Sequence, residues 1–415
     1  MGVASKVLII GHHWPEPTTT AAGQRMLQLL HAFLERDYQL TFTSTAVENQ
    51  YSMDLKSLGI STASIRLNHS SFDDFIEKLQ PDLVIFDRFM TEEQFGWRVA
   101  DVCPNALRIL NTEDLHSLRS VREACVKQGT AFTLDGWWQS DKTKREVACI
   151  YRSDLSLLIS SFEKRLLKEY LNIDASLLYH LPFMLPAITY PQKKQWPDFE
   201  QRKDFVVFGN GKHAPNIDAL FFLKQHIWPM VRQQLPQAKL HVYGAHLPKQ
   251  VLAMEDKAQG LWVHGWEEDL VSKVAGVRLL LAPLRFGAGL KGKLLFAMQC
   301  GTPSITTTIG AEGITGTFDW PGAITETSEA FAERAVTFYQ KKARWLQAQE
   351  NGVSIINQEY EQKLIIEAFF DRLEGLRASL TAHRLQNRVG ALLHHQTLAA
   401  TKYMSKWIAA KQSQD

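Results

Sequence analysis

The chain of 415 residues has few cysteines, almost no net charge and no long apolar segment near its start. Its cysteines are widely spaced and none forms a Cys-x-x-Cys pair, so the sequence indicates neither a disulfide framework nor a zinc site, and we predict no metal. The N-terminal apolar run, residues 7–10, is too short for a signal peptide or a membrane span. We therefore expect a cytoplasmic protein. The cysteines are Cys103, Cys125, Cys149 and Cys300.

The charged residues nearly cancel, since 46 lysines and arginines oppose 44 aspartates and glutamates and leave a net charge of +2. Proteins that bind nucleic acid generally need a strong basic surplus, so we predict no nucleic-acid partner. A local anion site remains compatible with this balance. The length and the 45% apolar content are typical of a globular protein with two domains.

Short apolar runs alternate with helical patterns in both halves of the chain, which predicts two α/β domains with parallel, doubly wound sheets. The predicted strands are residues 6–10, 40–43, 81–87, 107–110 and 155–160, then 205–208, 240–243, 261–263, 279–282 and 304–308. Several prolines between residues 182 and 203 interrupt the pattern and indicate a linker. We divide the chain into residues 1–185, residues 186–370 and a helical tail, residues 371–415.

A glycine-rich loop, residues 283–293, lies between a predicted strand and a helix that ends near Gly301 and Pro303. Unpaired N–H groups and the helix dipole at such a helix start favour an anion, and glycine lets the backbone approach it. The loop glycines and cations that we assign to a phosphate ligand are Arg285, Gly287, Gly289, Leu290 (through its backbone), Lys291, Gly292 and Lys293.

Two other interpretations of this loop stay open. Gly287, Gly289 and Gly292 also spell the dinucleotide pattern G-x-G-x-x-G, with Glu312 about twenty residues later. A solvated basic turn is the other alternative. The loop cations favour a ligand whose sugar–phosphate bond is broken, because negative charge grows on the leaving diphosphate and fixed cations stabilise it.

The second half of the chain resembles the donor domain of the retaining GT-B glycosyltransferases of the group 1, or GT4, family. Four segments match this family in order: residues 208–219 with their glycine loop and Pro-Asn-x-Asp-Ala pattern, residues 240–244, residues 264–270, and residues 283–313 with their Ile-Gly-Ala-Glu-Gly end. The match covers roughly 110 residues and is weaker over the first half.

The resemblance implies two Rossmann-like domains facing a cleft, with the acceptor on residues 1–185 and the nucleotide-diphosphate sugar on residues 186–370. It implies transfer to a glycan, a lipid or another hydroxyl acceptor, as in polysaccharide biosynthesis, without a metal or other cofactor, the sugar nucleotide being a co-substrate. Lys293 matches the family's diphosphate lysine. The family's second donor-facing loop corresponds to Gly209, Asn210 and Gly211 in this chain. Its first strand–loop corresponds to the segment that begins at Gly11.

Three residues are our candidates for the reaction itself: His116, Lys293 and Glu312. His116 follows carboxylates at a strand end, where ligands of α/β sheets bind, and Glu312 lies in a glycine-flanked loop. A structural histidine and a turn carboxylate are the alternatives. The chain departs from the family at Ala288 and Phe296, where two glutamates are usual, and the second glutamate commonly holds the ribose. A non-catalytic relative that binds a ligand or partner is therefore the alternative function.

The tail carries basic and apolar residues, including Arg384, Leu392, Lys402, Lys406 and Trp407. This pattern fits either an amphipathic helix that contacts a membrane surface or partner, or the closing helix of the GT-B fold, which crosses back onto the first domain. We expect the closing helix, with peripheral membrane contact as the alternative.

Overall fold

A computed structural model describes residues 5–395 and Met404. Lys402, Lys406 and Trp407 of the predicted amphipathic tail lie outside the described residues. Within the described part, the chain forms two parallel sheets, one in each half, with helices on both faces. Each face of each sheet packs against its own cluster of buried apolar side chains. The predicted α/β class with two doubly wound sheets is confirmed.

The first described sheet has the strand order β3-β2-β1-β4-β5-β6-β7 and pairs only in parallel. Ile9, in the strand formed by residues 6–11, lies between Phe42 and Ile85 of the two neighbouring strands. All three are buried, as expected for a sheet covered by helices on both faces. The strands are β1 (Lys6–Gly11), β2 (Gln39–Ser44), β3 (Ser61–Ser64), β4 (Leu83–Asp87), β5 (Leu107–Glu113), β6 (Leu155–Leu158) and β7 (Leu178–His180).

The first helix shows how local sequence starts these elements. Thr20 is its N-cap, and its hydroxyl accepts a hydrogen bond of 2.9 Å from the backbone N–H of Gly23. Met26, Leu30 and Phe33 then bury one face of the helix, as their spacing predicts. The helices of the first half are α1 (Ala21–Leu34), α2 (Ser71–Leu79), α3 (Phe89–Val102), α4 (His116–Gln128), α5 (Leu134–Gln139), α6 (Asp141–Arg152) and α7 (Ser161–Glu169).

The second described sheet has the order β10-β9-β8-β11-β12-β13, again in parallel. Its strands are β8 (Lys203–Phe208), β9 (Leu240–Tyr243), β10 (Leu261–Gly265), β11 (Val277–Ala282), β12 (Ser304–Thr306) and β13 (Gly322–Ile324). The strands absent from our prediction, β3, β7 and β13, have only three or four residues. They are too short to show a period in the sequence.

The helices of the second half and the C-terminal region are α8 (Tyr190–Lys194), α9 (Ala214–Phe222), α10 (Trp228–Gln234), α11 (Lys249–Leu252), α12 (Leu270–Gly276), α13 (Gly292–Gln299), α14 (Thr308–Ala311), α15 (Ser328–Gln340), α16 (Lys342–Glu359), α17 (Gln362–Ala378), α18 (Leu380–Gln386) and α19 (Arg388–His395). A π-helical turn, Leu223–Ile227, joins α9 to α10 just before Pro229. Proline lacks an N–H and clashes with the carbonyl of the preceding turn, which accounts for this irregularity.

The described C-terminal helices pack on the first sheet. Phe369 and Phe370 of α17 belong to the same buried cluster as Val7, and the rings of Phe370 and Phe33 lie 5.2 Å apart. In α18, the Arg384 guanidinium binds the Asp154 carboxylate at 2.7 Å. The chain thus returns to the first half after Glu361. The exact domain limits at residues 185 and 370 stay a proposed division.

Candidate active site

The glycine-rich loop follows β11 and leads into α13, as its sequence predicts. At Gly289, where φ is +64°, a Cβ would lie 2.8 Å from the Asp114 Cβ of the first domain. At Gly292, a Cβ would lie 2.8 Å from the Ala21 Cβ. Side chains at either position would push the two halves apart. These glycines therefore let the loop meet the first domain, besides leaving backbone exposed to a ligand.

Lys293 lies at the start of α13 and is partly buried. Its Nζ donates a hydrogen bond of 2.7 Å to the Asn216 Oδ1, which is its hydrogen-bond partner among the described residues. Burial of the ammonium lowers its pKa to about 8. An uncharged amide leaves the positive charge uncompensated, so this ammonium is suited to receive an anion.

Lys291 is more deeply buried and already has a carboxylate neighbour. Its Nζ donates to the Gly289 carbonyl at 3.0 Å and lies 3.8 Å from a Glu312 carboxylate oxygen. Burial lowers the pKa of Lys291, and Glu312 opposes that shift. The two predicted lysines therefore differ, because Glu312 partly neutralises the charge of Lys291, whereas Lys293 has no carboxylate in salt-bridge contact among the described residues.

Arg122 of α4 holds the Glu312 carboxylate from across the cleft. Its Nη1 and Nη2 each donate a hydrogen bond of 2.7 Å to Glu312, and Nη1 also donates to the Gly287 carbonyl at 2.9 Å. Both side chains are almost fully buried. Glu312 is among the residues that the sequence predicts for the site, and Arg122 is not. The available signal was the three-residue spacing of Arg119 and Arg122, which puts both on one helical face after His116.

Glu163 of α7 is a second carboxylate that joins the halves. Its Oε1 accepts hydrogen bonds from the backbone N–H of Gly289 at 2.7 Å and of Leu115 at 3.2 Å. Burial raises its pKa, and the neighbouring Asp114 raises it further. Glu163 is not among the residues that the sequence predicts for the site. Its pattern with Ser160 fits a capping box, which predicts a purely local role, yet the carboxylate reaches the facing loop instead.

His116 begins α4 and lies against Asp114. Its Nε2 is 3.0 Å from Asp114 Oδ1, and Arg119 Nε is 3.2 Å from Asp114 Oδ2. Burial opposes the ionisation of Asp114, but Arg119 and His116 hold its pKa well below the usual range. Arg119 Nη1 also lies 3.0 Å from the Nε2 of His213, on the second domain.

The pKa of His213 is lowered to about 4 by burial and by Arg119. The ring is therefore neutral near pH 7, and its Nε2 can accept the hydrogen bond from Arg119. A chain of polar contacts thus runs from His116 through Asp114 and Arg119 to His213 of the second domain.

Further polar groups gather where β1, β4 and β5 end. The Asn111 side chain donates to Asp87 at 3.3 Å and to Glu113 at 2.8 Å, and the backbone N–H of His12 donates to Asp87 at 3.3 Å. Burial, and then Asp87, raise the pKa of Glu113. At Gly11, a Cβ would lie 2.3 Å from the Phe42 ring, so packing alone requires glycine there.

The loop after β8 faces the same cleft. Asn210 donates through its side chain to the Thr19 carbonyl of the first domain at 3.3 Å, and its own carbonyl accepts from Asn216 at 3.0 Å. A Cβ would lie 2.5 Å from Asn216 Nδ2 at Gly209 and 2.2 Å from the His246 carbonyl at Gly211. Asn216 therefore connects this loop to Lys293, a role that the Pro-Asn-x-Asp-Ala pattern did not reveal.

Two predicted ligand residues have other partners. Arg285 forms an ion pair with Asp218 of α9, with its Nε 2.8 Å from Oδ2, and covers the Phe222 ring at 5.0 Å. The Leu290 side chain is buried in the core with Phe183, so only its backbone can face a ligand. The structure brings Gly287, Gly289, Lys291 and Glu312 together, with Lys293 at the helix start beside them.

Comparison with known proteins shows which family the second half of the chain resembles. Residues 202–341, which contain both glycine loops, Lys293 and Glu312, match the family described as glycosyl transferases group 1. The match lies in the second half of the chain, which is thus similar to the group 1 glycosyltransferases. A curated relative, an uncharacterized protein in the cps region of Klebsiella pneumoniae, is 26% identical over 200 residues, which is 46% of this chain and 50% of that protein. The match thus spans half the length of that relative.

Solved glycosyltransferase structures resemble nearly the whole chain. Sucrose-phosphate synthase from Thermosynechococcus elongatus superposes with a TM-score of 0.68 at 15% identity, covering 90% of this chain and 100% of that chain. Anabaena HepE, in complex with UDP and glucose, gives a TM-score of 0.67 at 12% identity with the same two coverages. At such identities the likeness establishes the fold, which is GT-B.

Two positions depart from the usual group 1 sequence, and both pack against apolar groups. The Phe296 ring lies 5.5 Å from the Phe208 ring, and Ala288 contacts the apolar core of the first domain. Within residues 5–395 and Met404, no group of three potential ligands is arranged to hold a metal ion. No described helix is both long enough and apolar enough to cross a membrane.

Proposed function

We propose that this group 1 glycosyltransferase moves a sugar from a nucleotide-diphosphate sugar to a hydroxyl acceptor, with retention at the anomeric carbon and without a metal. One observation carries the proposal. The Lys293 ammonium lies at the start of α13 beside a glycine-rich loop, with a neutral amide as its hydrogen-bond partner. A helix start and an uncompensated cation together form a site for a diphosphate.

The chemistry needs stabilisation of charge that grows as the bond breaks. The bond between the anomeric carbon and the phosphate oxygen breaks, the acceptor oxygen bonds to that carbon on the same face, and the acceptor proton passes to the leaving phosphate. Lys293 and the N–H groups of the loop stabilise the diphosphate that leaves. In this role the lysine replaces the metal that other transferases use as a clamp.

We assign distinct roles to the other candidates. His116, oriented by Asp114, contacts the acceptor or the donor sugar. Glu312 is bound by Arg122 and Lys291, so we infer that it acts by fixing these cations and the loop, without bonding to the sugar. Gly289 and Leu290 offer backbone to the phosphates, and Gly209, Asn210 and Gly211 form the opposite wall.

The nucleoside and acceptor are proposed from relatives. HepE binds UDP and glucose in its structure, so we propose UDP as the first nucleotide to test. The Klebsiella relative lies in the cps region, which favours a role in polysaccharide assembly in the cytoplasm with a glycan or lipid-linked acceptor. Contact of the protein with a membrane surface belongs to the same proposal.

Replacing Lys293 tests the diphosphate site. Lys293→Ala is expected to weaken UDP binding by about 10- to 100-fold, because a hydrogen bond to a charged group contributes about 1.5–3 kcal/mol. Calorimetric titration measures the change. Lys224→Ala is the matched control, since Lys224 is also partly buried and donates to one oxygen, the Met254 carbonyl, at 3.0 Å. Equal UDP affinity in Lys293→Ala and the wild type would exclude this site.

A second candidate function rests on Phe296 and Ala288. Because the usual carboxylates are missing, the chain would bind a ligand or partner without catalysis. Incubation with a panel of sugar nucleotides, followed by detection of released nucleoside diphosphate, separates the two functions. Turnover of any donor excludes the non-catalytic function. A thermal shift with NAD but none with UDP or GDP would instead favour the dinucleotide interpretation of the loop.

A further inference from the structure

Arg88 lies at the sharp turn where β4 leads into α3, at the cleft end of the first sheet. Its backbone has φ +71° and ψ +156°, a conformation that is essentially restricted to glycine. The turn is fixed by a hydrogen bond of 2.7 Å from the Arg88 backbone N–H to the Asn111 carbonyl. Strain of this kind clusters at ligand sites. The roles assigned so far in sugar transfer do not include Arg88.

The Arg88 guanidinium has donors available to a ligand. Its Nε is buried, but both Nη groups keep exposed surface, and neither donates to a residue that the structure describes. The side chain as a whole is 21% exposed. Asp87 Oδ2 lies 4.0 Å from Nε, which is beyond hydrogen-bond distance. Two Nη groups of one guanidinium can donate to two neighbouring oxygens of one ligand.

Hydrogen-bond acceptors lie beside these donors. Asp87 keeps some exposed side-chain surface, and the Asn111 amide links its carboxylate to that of Glu113. Asn111 Oδ1 has no hydrogen-bond partner within the described part of the chain. The charge of the buried Arg25 is offset by Glu113, so this wall of the cleft holds two arginines and two carboxylates. Such a balance favours a neutral ligand that both donates and accepts, as hydroxyl groups do, over an anion.

The place of Arg88 in the sheet indicates which sugar it can reach. Asp114 directly follows β5 and meets Gly289 of the glycine-rich loop, whereas Arg88 follows β4, the next strand, about 4.8 Å away. The Phe89 ring lies 5.9 Å from the His116 ring, so the two strand ends share one wall. The transferred sugar is bonded to the diphosphate and lies nearest the loop. A sugar at Arg88 is one strand further away, where the acceptor belongs.

We propose that Arg88, together with Asp87, binds hydroxyl groups of an acceptor sugar, so that the acceptor of this chain is a glycan. The inference rests on the proposed sugar transfer, which by itself leaves a glycan, a lipid or another hydroxyl as the acceptor. Neighbouring hydroxyls of a sugar ring accept from the two Nη groups and donate to the carboxylate. Hydrogen bonds with an ionised partner are about twice as strong as those between neutral groups.

Binding of methyl glycosides to the full chain tests the site. The probes are the methyl glycosides of glucose, galactose, mannose and N-acetylglucosamine, titrated into the protein with UDP present and followed by saturation-transfer NMR. Arg88→Gln should weaken binding of the best probe about tenfold or more, because hydrogen bonds from a charged group are lost. Arg98→Gln is the matched control: Arg98 is also on α3, is bound by Asp73 of α2, and should change binding less than about twofold.

Arg88→Gly separates a ligand-binding role from a structural one. Glycine relieves the strained backbone, so the melting temperature should rise by about 2–6 °C while probe binding is lost. Removal of an arginine that only supports the fold would lower the melting temperature instead.

Three results would overturn the inference: no probe bound by the wild type, equal probe binding by Arg88→Gln and the wild type, or a lower melting temperature in Arg88→Gly. None of these measurements requires turnover. Release of nucleoside diphosphate from a sugar nucleotide and the UDP titration of Lys293→Ala test the proposed function separately, so failure of one is distinguishable from failure of the other.

Discussion

The Glu163 carboxylate of the first domain accepts a hydrogen bond of 2.7 Å from the backbone N–H of Gly289 in the second domain. We assign this same N–H to the donor diphosphate. A protein carboxylate and a phosphate cannot share one donor at full strength, and both are anions when ionised. In this arrangement Glu163 therefore occupies a position that the diphosphate is proposed to take.

The first prediction follows from the charge of Glu163. Burial and Asp114 raise its pKa from an ordinary 4.5 to about 8, and its second oxygen has no hydrogen-bond partner among the described residues. Glu163→Gln should tighten UDP binding by about threefold or more at pH 8.5, because repulsion by the ionised carboxylate is removed. At pH 6 the native carboxyl is already mostly protonated, and the variant should bind like the wild type. Weaker binding, or an equal change at both pH values, would contradict this.

The pH dependence of the stability of the same variant tests the direction of the Glu163 pKa shift. The folded state keeps a proton on Glu163 that the unfolded state releases above pH 4.5. The free energy of unfolding of the wild type therefore has a component that falls as the pH rises from about 5 to 8. Glu163→Gln should remove that component and flatten the dependence, as measured by urea denaturation across this range.

The second prediction concerns His116. His116→Gln keeps an amide that can still donate to Asp114 but loses the imidazole that we propose contacts the sugar, so transfer should slow about 10- to 100-fold while UDP affinity is unchanged. The rate of sugar transfer and the UDP titration are measured together. His241→Gln is the matched control, because His241 forms a similar pair, 3.3 Å from Asp204, at the start of β8 and away from the cleft. Equal slowing in both variants would mean that His116 is structural.

The third prediction addresses the nucleoside end of the site. Phe296→Glu supplies the carboxylate that holds ribose in many family members, and should strengthen UDP binding about tenfold with pyrophosphate binding unchanged. Phe296→Gln has nearly the same shape without the charge and should gain less. The melting temperature of each variant shows whether loss of the contact with Phe208 has disturbed the fold. Folded Phe296→Glu that gains no affinity for UDP would place the ribose elsewhere.

The fourth prediction separates backbone strain from contact between domains. Gly289→Ala and Gly129→Ala both place alanine where φ is near +65°, at +64° and +66°. Each should lose about 1–2 kcal/mol for that backbone. Of the two, only the Gly289 Cβ would also meet another group, at 2.8 Å from Asp114 Cβ, whereas no atom of the described residues lies within 4 Å at Gly129. Gly289→Ala should therefore cost about 1–3 kcal/mol more in the free energy of unfolding. Equal costs would show that the domains separate readily.

Local patterns in the sequence determined much of this protein. Apolar segments that alternate with helical patterns indicated both sheets. A strand covered by helices on both faces must be apolar along its length, and this holds regardless of which strand it pairs with. The sequence also showed the glycine-rich loop, Lys293 at the start of the following helix, and Gly301 at the end of that helix. Helix starts and ends depend on neighbours within a few residues, so they can be recognised locally. Short strands such as β13 carried too few residues to show a period.

Only the tertiary structure decided what the site residues contact. Gly289 meets Glu163 from 126 residues away, and Arg122 meets Glu312 across 190 residues. Glu163 satisfies a local capping pattern, so nothing near it in the chain indicated that its carboxylate would cross the cleft. Local rules specify where a helix starts, but the partner of a side chain depends on which surfaces the fold brings together. For that reason the glycine-rich loop could be found in the sequence, and the carboxylate that binds its Gly289 N–H could not.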